Sequence, residues 1–250
     1  MLNQQTALIT GATSGIGQAC AQTLAQAGVN LIITGRRVER LQTLTAKLKT
    51  QYSIEVLPLA FDVCDEQAVL DSLTILPKPF SHIDILINNA GLAAGLDTID
   101  KASTEDWHLM INTNLKGLIF VTKAILPQMR QRRAGHIINI SSVAGHMAYS
   151  GGSVYCATKS AVRAFSKAIK KECEGMDIRV TDFAPGKVET EFSLVRFKGD
   201  QVQADAVYQD LQALSAQDIA EAILFVVSRP KHVNIAEIVI MPSQQSGQLV

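Results

Sequence analysis

Seven short apolar runs, separated by longer stretches of helical pattern, leave this chain few folds to adopt. The runs are "TALIT" (6–10), "VNLIIT" (29–34), "IEVLPLAFD" (54–62), "IDILINN" (83–89), "GHIINISS" (135–142), "IRVTDFAP" (178–185) and "AEIVIM" (236–241). A strand half-exposed to water alternates apolar with polar residues, whereas these runs are apolar almost throughout. That is expected of a parallel sheet covered by helices on both faces. The first intervals agree, with a helix expected from about 15 to 28 and another over "RVERLQTLTAKLKTQ". Strand–helix alternation predicts an α/β fold: a single doubly wound domain over 1–250, its parallel seven-stranded sheet flanked by helices. Right-handed crossovers then put any ligand at the carboxyl ends of the strands, near the point where strand order reverses. One segment breaks the rhythm, the polar stretch of about 190–213, "TEFSLVRFKGDQVQADAVYQDLQA". Its position after a strand suggests a lid-like substrate loop.

The first strand runs directly into "TGATSGIG" (10–17) and then a helix. Glycines let the backbone turn sharply and approach a phosphate, while the helix start offers free N–H groups and the positive end of a dipole. Gly11, Thr13, Ser14, Gly15, Ile16 and Gly17 are therefore the expected phosphate cradle of a Rossmann-type dinucleotide site. The second strand ends in "TGRR", where such folds place either an acid for the ribose or an arginine for a 2′-phosphate. No acid is present. Arg36 and Arg37 offer planar guanidinium groups that pair with phosphate, which favours NADP over NAD.

In "GGSVYCATKSA" (151–161), Tyr155 stands one helical turn before Lys159. Residues four apart share a helix face, and a lysine cation beside a phenol lowers the phenol's pKa. The pair is thus a candidate general acid–base.

Composition narrows the partners. The chain has 250 residues, 23 basic and 23 acidic, for a formal net charge of zero. That balance attracts neither nucleic acid nor an anionic membrane, and points to a small-molecule substrate. The four cysteines are widely spaced with no C-x-x-C pair, which fits buried thiols in a reducing compartment. No run approaches the roughly 18 apolar residues of a membrane span, and no signal peptide is expected, so the cytoplasm is the default location. The five histidines show no metal-ligand spacing, and no metal is expected.

Taken in order, "TGATSGIG", "FDV" (61–63), "NNAG" (88–91), "NLKG" (114–117), "ISS" (140–142), "YCATK" (155–159) and "PGKVET" (185–190) carry a resemblance over essentially the whole chain. The chain resembles the short-chain dehydrogenase/reductase family in its compact form. The resemblance implies a catalytic tetrad of Asn114, Ser142, Tyr155 and Lys159. It implies that Asp62 and Val63 contact the adenine, and that Asn89, Ala90 and Gly91 line the adenosine side. Pro185, Gly186, Val188 and Thr190 match the nicotinamide-side contacts. The family often carries a basic residue where this chain has Ser14, which leaves the 2′-phosphate to Arg36 and Arg37. "GRRVERL", "GGSVYCATK", "TEFSLVRFKGD" and "SRPKHVNI" resemble, more narrowly, the NADP-dependent 3-hydroxy acid dehydrogenases that act on L-allo-threonine and serine.

What this implies chemically is hydride transfer between the nicotinamide and a small 3-hydroxy acid, 3-hydroxyisobutyrate included, or its 3-oxo form. Tyr155 would exchange the hydroxyl proton and bind substrate together with Ser142, which steadies the reacting oxygen. Lys159 would depress the tyrosine pKa and hold the nicotinamide ribose, and Asn114 would hold a water linking Lys159 to solvent. Arg196, in the lid-like segment, is the candidate partner for a substrate carboxylate; the other reading makes it an anchor for the loop. Ala157, Ala161, Ala164 and Ala168 form a stripe suited to close helix contact. With the family's habit of tetramers, the expectation is a homotetramer or homodimer. Competing readings are a reductase of another carbonyl substrate (ketone, sugar, steroid or acyl-carrier thioester), a sugar-nucleotide epimerase or dehydratase, and a non-catalytic NADP sensor.

Overall fold

Each apolar run forms a strand, and each interval supplies the helix that carries the chain back to the same end of the sheet. The computed structural model describes residues 2–209 and 211–248. The first half runs β1 (Thr6–Ile9), α1 (Gly15–Gln26), β2 (Asn30–Gly35), α2 (Val38–Gln51), β3 (Val56–Ala60), α3 (Glu66–Leu73) and β4 (Ile85–Asn88). It continues through α4 (Thr104–Ile111), α5 (Leu118–Arg132), β5 (Ala134–Ile140), α6 (Ser153–Glu172) and β6 (Asp177–Pro185). The last part comprises β7 (Val188–Glu189), α7 (Glu191–Arg196), α8 (Gln201–Ala206), β8 (Leu214–Ser215), α9 (Ala216–Val227) and β9 (Glu237–Ile240).

The seven expected strands pair in the order β3-β2-β1-β4-β5-β6-β9, all parallel. Strand order reverses between β1 and β4, so the carboxyl ends of these two strands flank a crevice. Successive side chains on a strand point to opposite faces. Ala7 and Ile9 pack with Leu24 of α1, Leu44 of α2 and Ile223 of α9, while Leu8 packs on the other face with Val69 of α3 and Ile125 of α5. Both faces are therefore buried, which is why the runs carry so few polar residues.

Two features depart from the sequence expectation. The helix from 104 to 132 meets the length and composition of a membrane span, alone among the described residues, although none was expected. Half of its apolar window is buried inside the fold, where α5 packs on β4 and β5, so it is a core helix. Midway it widens into a π-helical turn, Asn112–Gly117, which carries Asn114 into the interior. The second departure lies at the base of the polar 190–213 segment. β7 and β8 pair in parallel, Val188 with Leu214 and Glu189 with Ser215, so the excursion leaves and returns through one small sheet. Ser215 then starts α9 with a reciprocal capping box to Asp218, which fixes where the excursion ends.

Candidate active site

The strand ends open into a cleft of about 350 Å³. Of the residues singled out from sequence, Gly11, Thr13, Ser14, Gly15, Ile16, Arg36, Arg37, Asp62, Val63, Asn89, Ala90, Gly91, Ser142, Tyr155, Lys159, Pro185, Gly186, Val188 and Thr190 line it. Gly17, Asn114 and Arg196 do not; they stand behind or beside it. Gly17 is glycine because of a close approach: a Cβ there would lie 2.3 Å from the Gly11 carbonyl oxygen and 2.5 Å from Asn89 Nδ2. The same Asn89 Nδ2 donates to the carbonyls of Thr10 (2.9 Å) and Gly11 (3.2 Å), which pins the turn between β1 and α1. The free amides at the start of α1 consequently face the cleft, as a diphosphate requires.

The two arginines after β2 are not equivalent. Arg36 is exposed and makes one long contact, 3.4 Å, to the Asp62 carboxylate. Arg37 folds over the glycine turn, donating to Thr13 Oγ1 (3.1 and 2.9 Å) and Ser14 Oγ (2.8 Å), and reaches Glu191 Oε2 at 3.0 Å. Arg40, one turn further along α2, donates to both oxygens of Glu191, at 2.8 and 3.0 Å. Hydrogen bonds from Arg37 and Arg40 hold the Glu191 carboxyl below the usual glutamate range. Arg40 and Glu191 escaped the sequence reading. The i, i+4 spacing of Arg36 and Arg40 was a usable signal for the first; Glu191, 151 residues away, had none.

At the other end, Tyr155 and Lys159 lie one turn apart on α6 and are both buried. Lys159 Nζ donates to the Ile140 carbonyl at 2.9 Å and sits 5.8 Å from the Tyr155 ring centre. Ser142 caps the short 3-10 turn Val143–Gly145, its Oγ accepting from Ala144 N (3.1 Å) and donating to the Pro185 carbonyl (3.4 Å). The Asn114 side chain is bound on both sides. Its Oδ1 accepts from Leu92 N (2.8 Å), and its Nδ2 donates to Leu92 O (2.8 Å) and Thr158 Oγ1 (3.1 Å). Gly91 packs close to both groups, since a Cβ there would lie only 3.2 Å from Asn114 Oδ1 and 3.4 Å from Lys159 Nζ.

The electrostatics correct one expectation. Lys159 does not depress the Tyr155 pKa below its ordinary value of 10.0; burial pushes it up, and the Ser142 hydroxyl offsets burial only in part. Burial also lowers Lys159 from 10.5 to about 8, with the Asp182 carboxylate opposing the shift. Desolvation leads both shifts because both groups sit in a low-dielectric wall, where the charged form is disfavoured. At neutral pH the phenol is protonated, hence a proton donor as it stands.

Arg196 comes to the substrate end, but as an anchor. Its Nε donates to the Gly95 carbonyl at 3.2 Å, its NH2 to the Tyr149 hydroxyl, and its guanidinium carbon lies 5.5 Å from the Tyr149 and Tyr155 ring centres. In return Gly95 N donates to the Arg196 carbonyl at 2.9 Å. Tyr149 and Gly95 were not singled out from sequence. His146, Asp182 and Glu237 converge within 4.8 Å, a grouping the spacing of the histidines did not reveal. Arg163 already supplies a cation there, 2.9 Å from Glu237 and 4.0 Å from Asp182.

A glycine-cradled helix start and a buried Tyr–Lys pair with a serine hydroxyl, all facing one cleft, define a dinucleotide-dependent oxidoreductase. The profile of the family described as short chain dehydrogenase matches residues 5–200. The chain is 49% identical over 240 residues to "NADP-dependent 3-hydroxy acid dehydrogenase YdfG" of Shigella flexneri, covering 96% of this chain and 95% of that one. It is 44% identical over 247 residues to an NADP-dependent 3-hydroxy acid dehydrogenase of Schizosaccharomyces pombe, covering 98% and 95%. A solved structure of serine dehydrogenase, in its closed form and complexed with NADP+, is similar at a TM-score of 0.92 and 47% identity, covering 96% of each chain. The chain belongs to the short-chain dehydrogenase family, and it is an oxidoreductase acting on a CH–OH group.

Proposed function

We propose that this protein is an NADP-dependent dehydrogenase of small 3-hydroxy acids such as L-allo-threonine, serine or 3-hydroxyisobutyrate, interconverting them with the 3-oxo acids. The observation that carries the reading is the shared cleft. The cradle at the start of α1 and the exposed Arg36 lie at one end, and the buried Tyr155 hydroxyl at the other. The residues fit the cofactor: Gly15 and Ile16 at the start of α1 line the cleft where a diphosphate would lie, and Arg36 and Arg37 line it where this fold would put a 2′-phosphate. NADP, when bound, supplies the hydride acceptor, and NADPH the donor.

The chain's own residues move the proton. In reduction, protonated Tyr155 donates from its hydroxyl to the carbonyl oxygen; in oxidation the phenolate takes the proton back. Ser142 Oγ donates a hydrogen bond to the same oxygen as charge develops on it. Lys159, held by the Ile140 carbonyl, would hold the nicotinamide ribose, with Asn114 close by across Gly91 to serve a proton relay. Of the residues lining the cleft, Asp62 and Val63 would contact the adenine, Asn89 to Gly91 would line the adenosine side, and Pro185, Gly186, Val188 and Thr190 would hold the nicotinamide side. The 190–213 excursion acts as a lid, and Arg196, 5.5 Å from the Tyr155 ring, is the cation it would offer an incoming carboxylate.

The same reading places the enzyme in the cytoplasm as a homotetramer, one domain per chain. Ala157, Ala164 and Ala168 on the outer face of α6 are exposed, and support close contact with a second copy. A panel of hydroxy acids and uncharged alcohols assayed with both cofactors tests the substrate class. Hydroxy acids turn over best, and NADP exceeds NAD in kcat/KM by at least about tenfold, roughly 1.4 kcal/mol. Arg36→Ala removes most of that margin. A hydrophobic ketone reduced well while all three acids stay inert overturns the assignment.

A further inference from the structure

The excursion is fastened at both ends of the cleft, and the two fastenings differ in kind. At the substrate end Arg196 holds Gly95 and Tyr149, neither of which lines the cleft. At the adenosine end the fastening consists of Glu191 on α7 gripped by Arg37, just before α2, and Arg40 within it, at 2.8 to 3.0 Å. Arg37 is one of the two guanidinium groups expected to receive the 2′-phosphate, and Arg40 stands one helical turn beyond the other, Arg36. Exposed single ion pairs contribute little, because each long side chain must be ordered to make one contact. Here one carboxylate gathers two arginines, so anything that orders those arginines lowers the cost of seating Glu191, and the converse holds by linkage.

Donor geometry lets both anions be served together. Arg40 uses a single nitrogen, NH1, for Glu191, which leaves its Nε and NH2 edge open. Arg37 is fixed over the glycine turn by Thr13 and Ser14. Arg36 is free to turn, since its contact to Asp62 is long and exposed. Counting Arg36, Arg37 and Arg40 against Asp62 and Glu191 leaves one positive charge, which a phosphate dianion still finds attractive.

We propose that Arg40, with Arg37, is shared between the 2′-phosphate of the cofactor and Glu191, so that Glu191 converts recognition of that phosphate into closure of the lid. This rests on the reading that Arg36 and Arg37 face the 2′-phosphate. It makes Glu191 a specificity-determining residue that acts through the arginines. A cofactor lacking the 2′-phosphate fills the same cleft but brings no anion to the open edge of Arg40, and so adds nothing to the hold of that arginine on Glu191.

The test uses the intact enzyme and two probes that differ by one phosphate, adenosine 2′,5′-bisphosphate and adenosine 5′-monophosphate. The reporter is hydrogen exchange at the Gly95 amide, bonded across the closed lid to Arg196 O, and at Phe197, Lys198 and Gly199 at the end of α7. In the native protein the bisphosphate slows exchange at these amides by at least about threefold relative to the monophosphate. In Glu191→Gln, and independently in Arg40→Gln, that difference disappears. A slowing that persists in both variants overturns the proposal, as does faster exchange with the bisphosphate in the native protein. Binding affinities of the two probes, measured alongside, separate the premises. If the bisphosphate binds no tighter than the monophosphate, the placement of the 2′-phosphate at Arg36 and Arg37 has failed. If it binds tighter but the lid does not respond, the coupling alone has failed.

Discussion

Lys159 carries its charge into a wall where water barely reaches, and that has a measurable cost. Its pKa is about 8 in the folded protein against 10.5 for an unperturbed lysine, with burial the cause. Between those values the unfolded chain binds the proton and the folded chain does not. Stability contributed by this group therefore rises with pH across the window, by up to about 1.4 kcal/mol per unit. Denaturant unfolding from pH 7 to 10 should show the native protein gaining on Lys159→Met above pH 8; a gap that stays constant would remove the assigned shift. Tyr155→Phe is expected to lower turnover by about a hundredfold or more while NADP binding stays nearly intact, the usual scale for a positioned acid–base. Substantial turnover in that variant demands another proton donor. The spacing of Tyr155 and Lys159 was legible because four residues make a helical turn. The direction of the tyrosine shift was not, because desolvation depends on Ile140, Ser142 and the other walls that tertiary packing brings up.

At the scale of elements, the strands were legible for a physical reason: helices on both faces leave no solvated side to mark with polar residues. The helices α1 and α2 were equally plain. What the sequence concealed were elements held by distant partners, the π-helical turn at Asn112–Gly117 and the short β7–β8 pair. Neither has a periodicity of its own. α7 belongs with them, since six residues make a marginal helix in water, and its ends are fixed by Arg37, Arg40, Gly95 and Tyr149. This sets up a prediction about Arg196. In Arg196→Ala the Michaelis constant for a 3-hydroxy acid should rise about tenfold more than that for an uncharged alcohol of similar size, if the guanidinium also meets a carboxylate. Equal loss on both substrates reduces Arg196 to the anchor that its bonds to Gly95 and Tyr149 already make it.

For the whole molecule, the fold assigns the two tasks of the enzyme to different spans of chain. The cradle, the arginines and the Tyr–Lys pair stand on elements of the sheet and its covering helices. The substrate end is completed by a segment hung outside them. The proposed assembly adds a further level, and sedimentation should find one species of four chains of 27.0 kDa each; a lone 27.0 kDa species at micromolar concentration refutes it. The β7–β8 pair has a consequence of another sort. Because Val188 and Leu214 are neighbours in one ladder, the two ends of the excursion are held together whatever lies between them. Closing a longer or shorter loop across that gap costs only a slowly varying entropy. A replacement segment can thus be spliced in at this seam without disturbing the sheet, and new substrate ranges can arise by exchange of a single cassette that keeps Thr190 and Glu191, the part of the excursion facing the cofactor side.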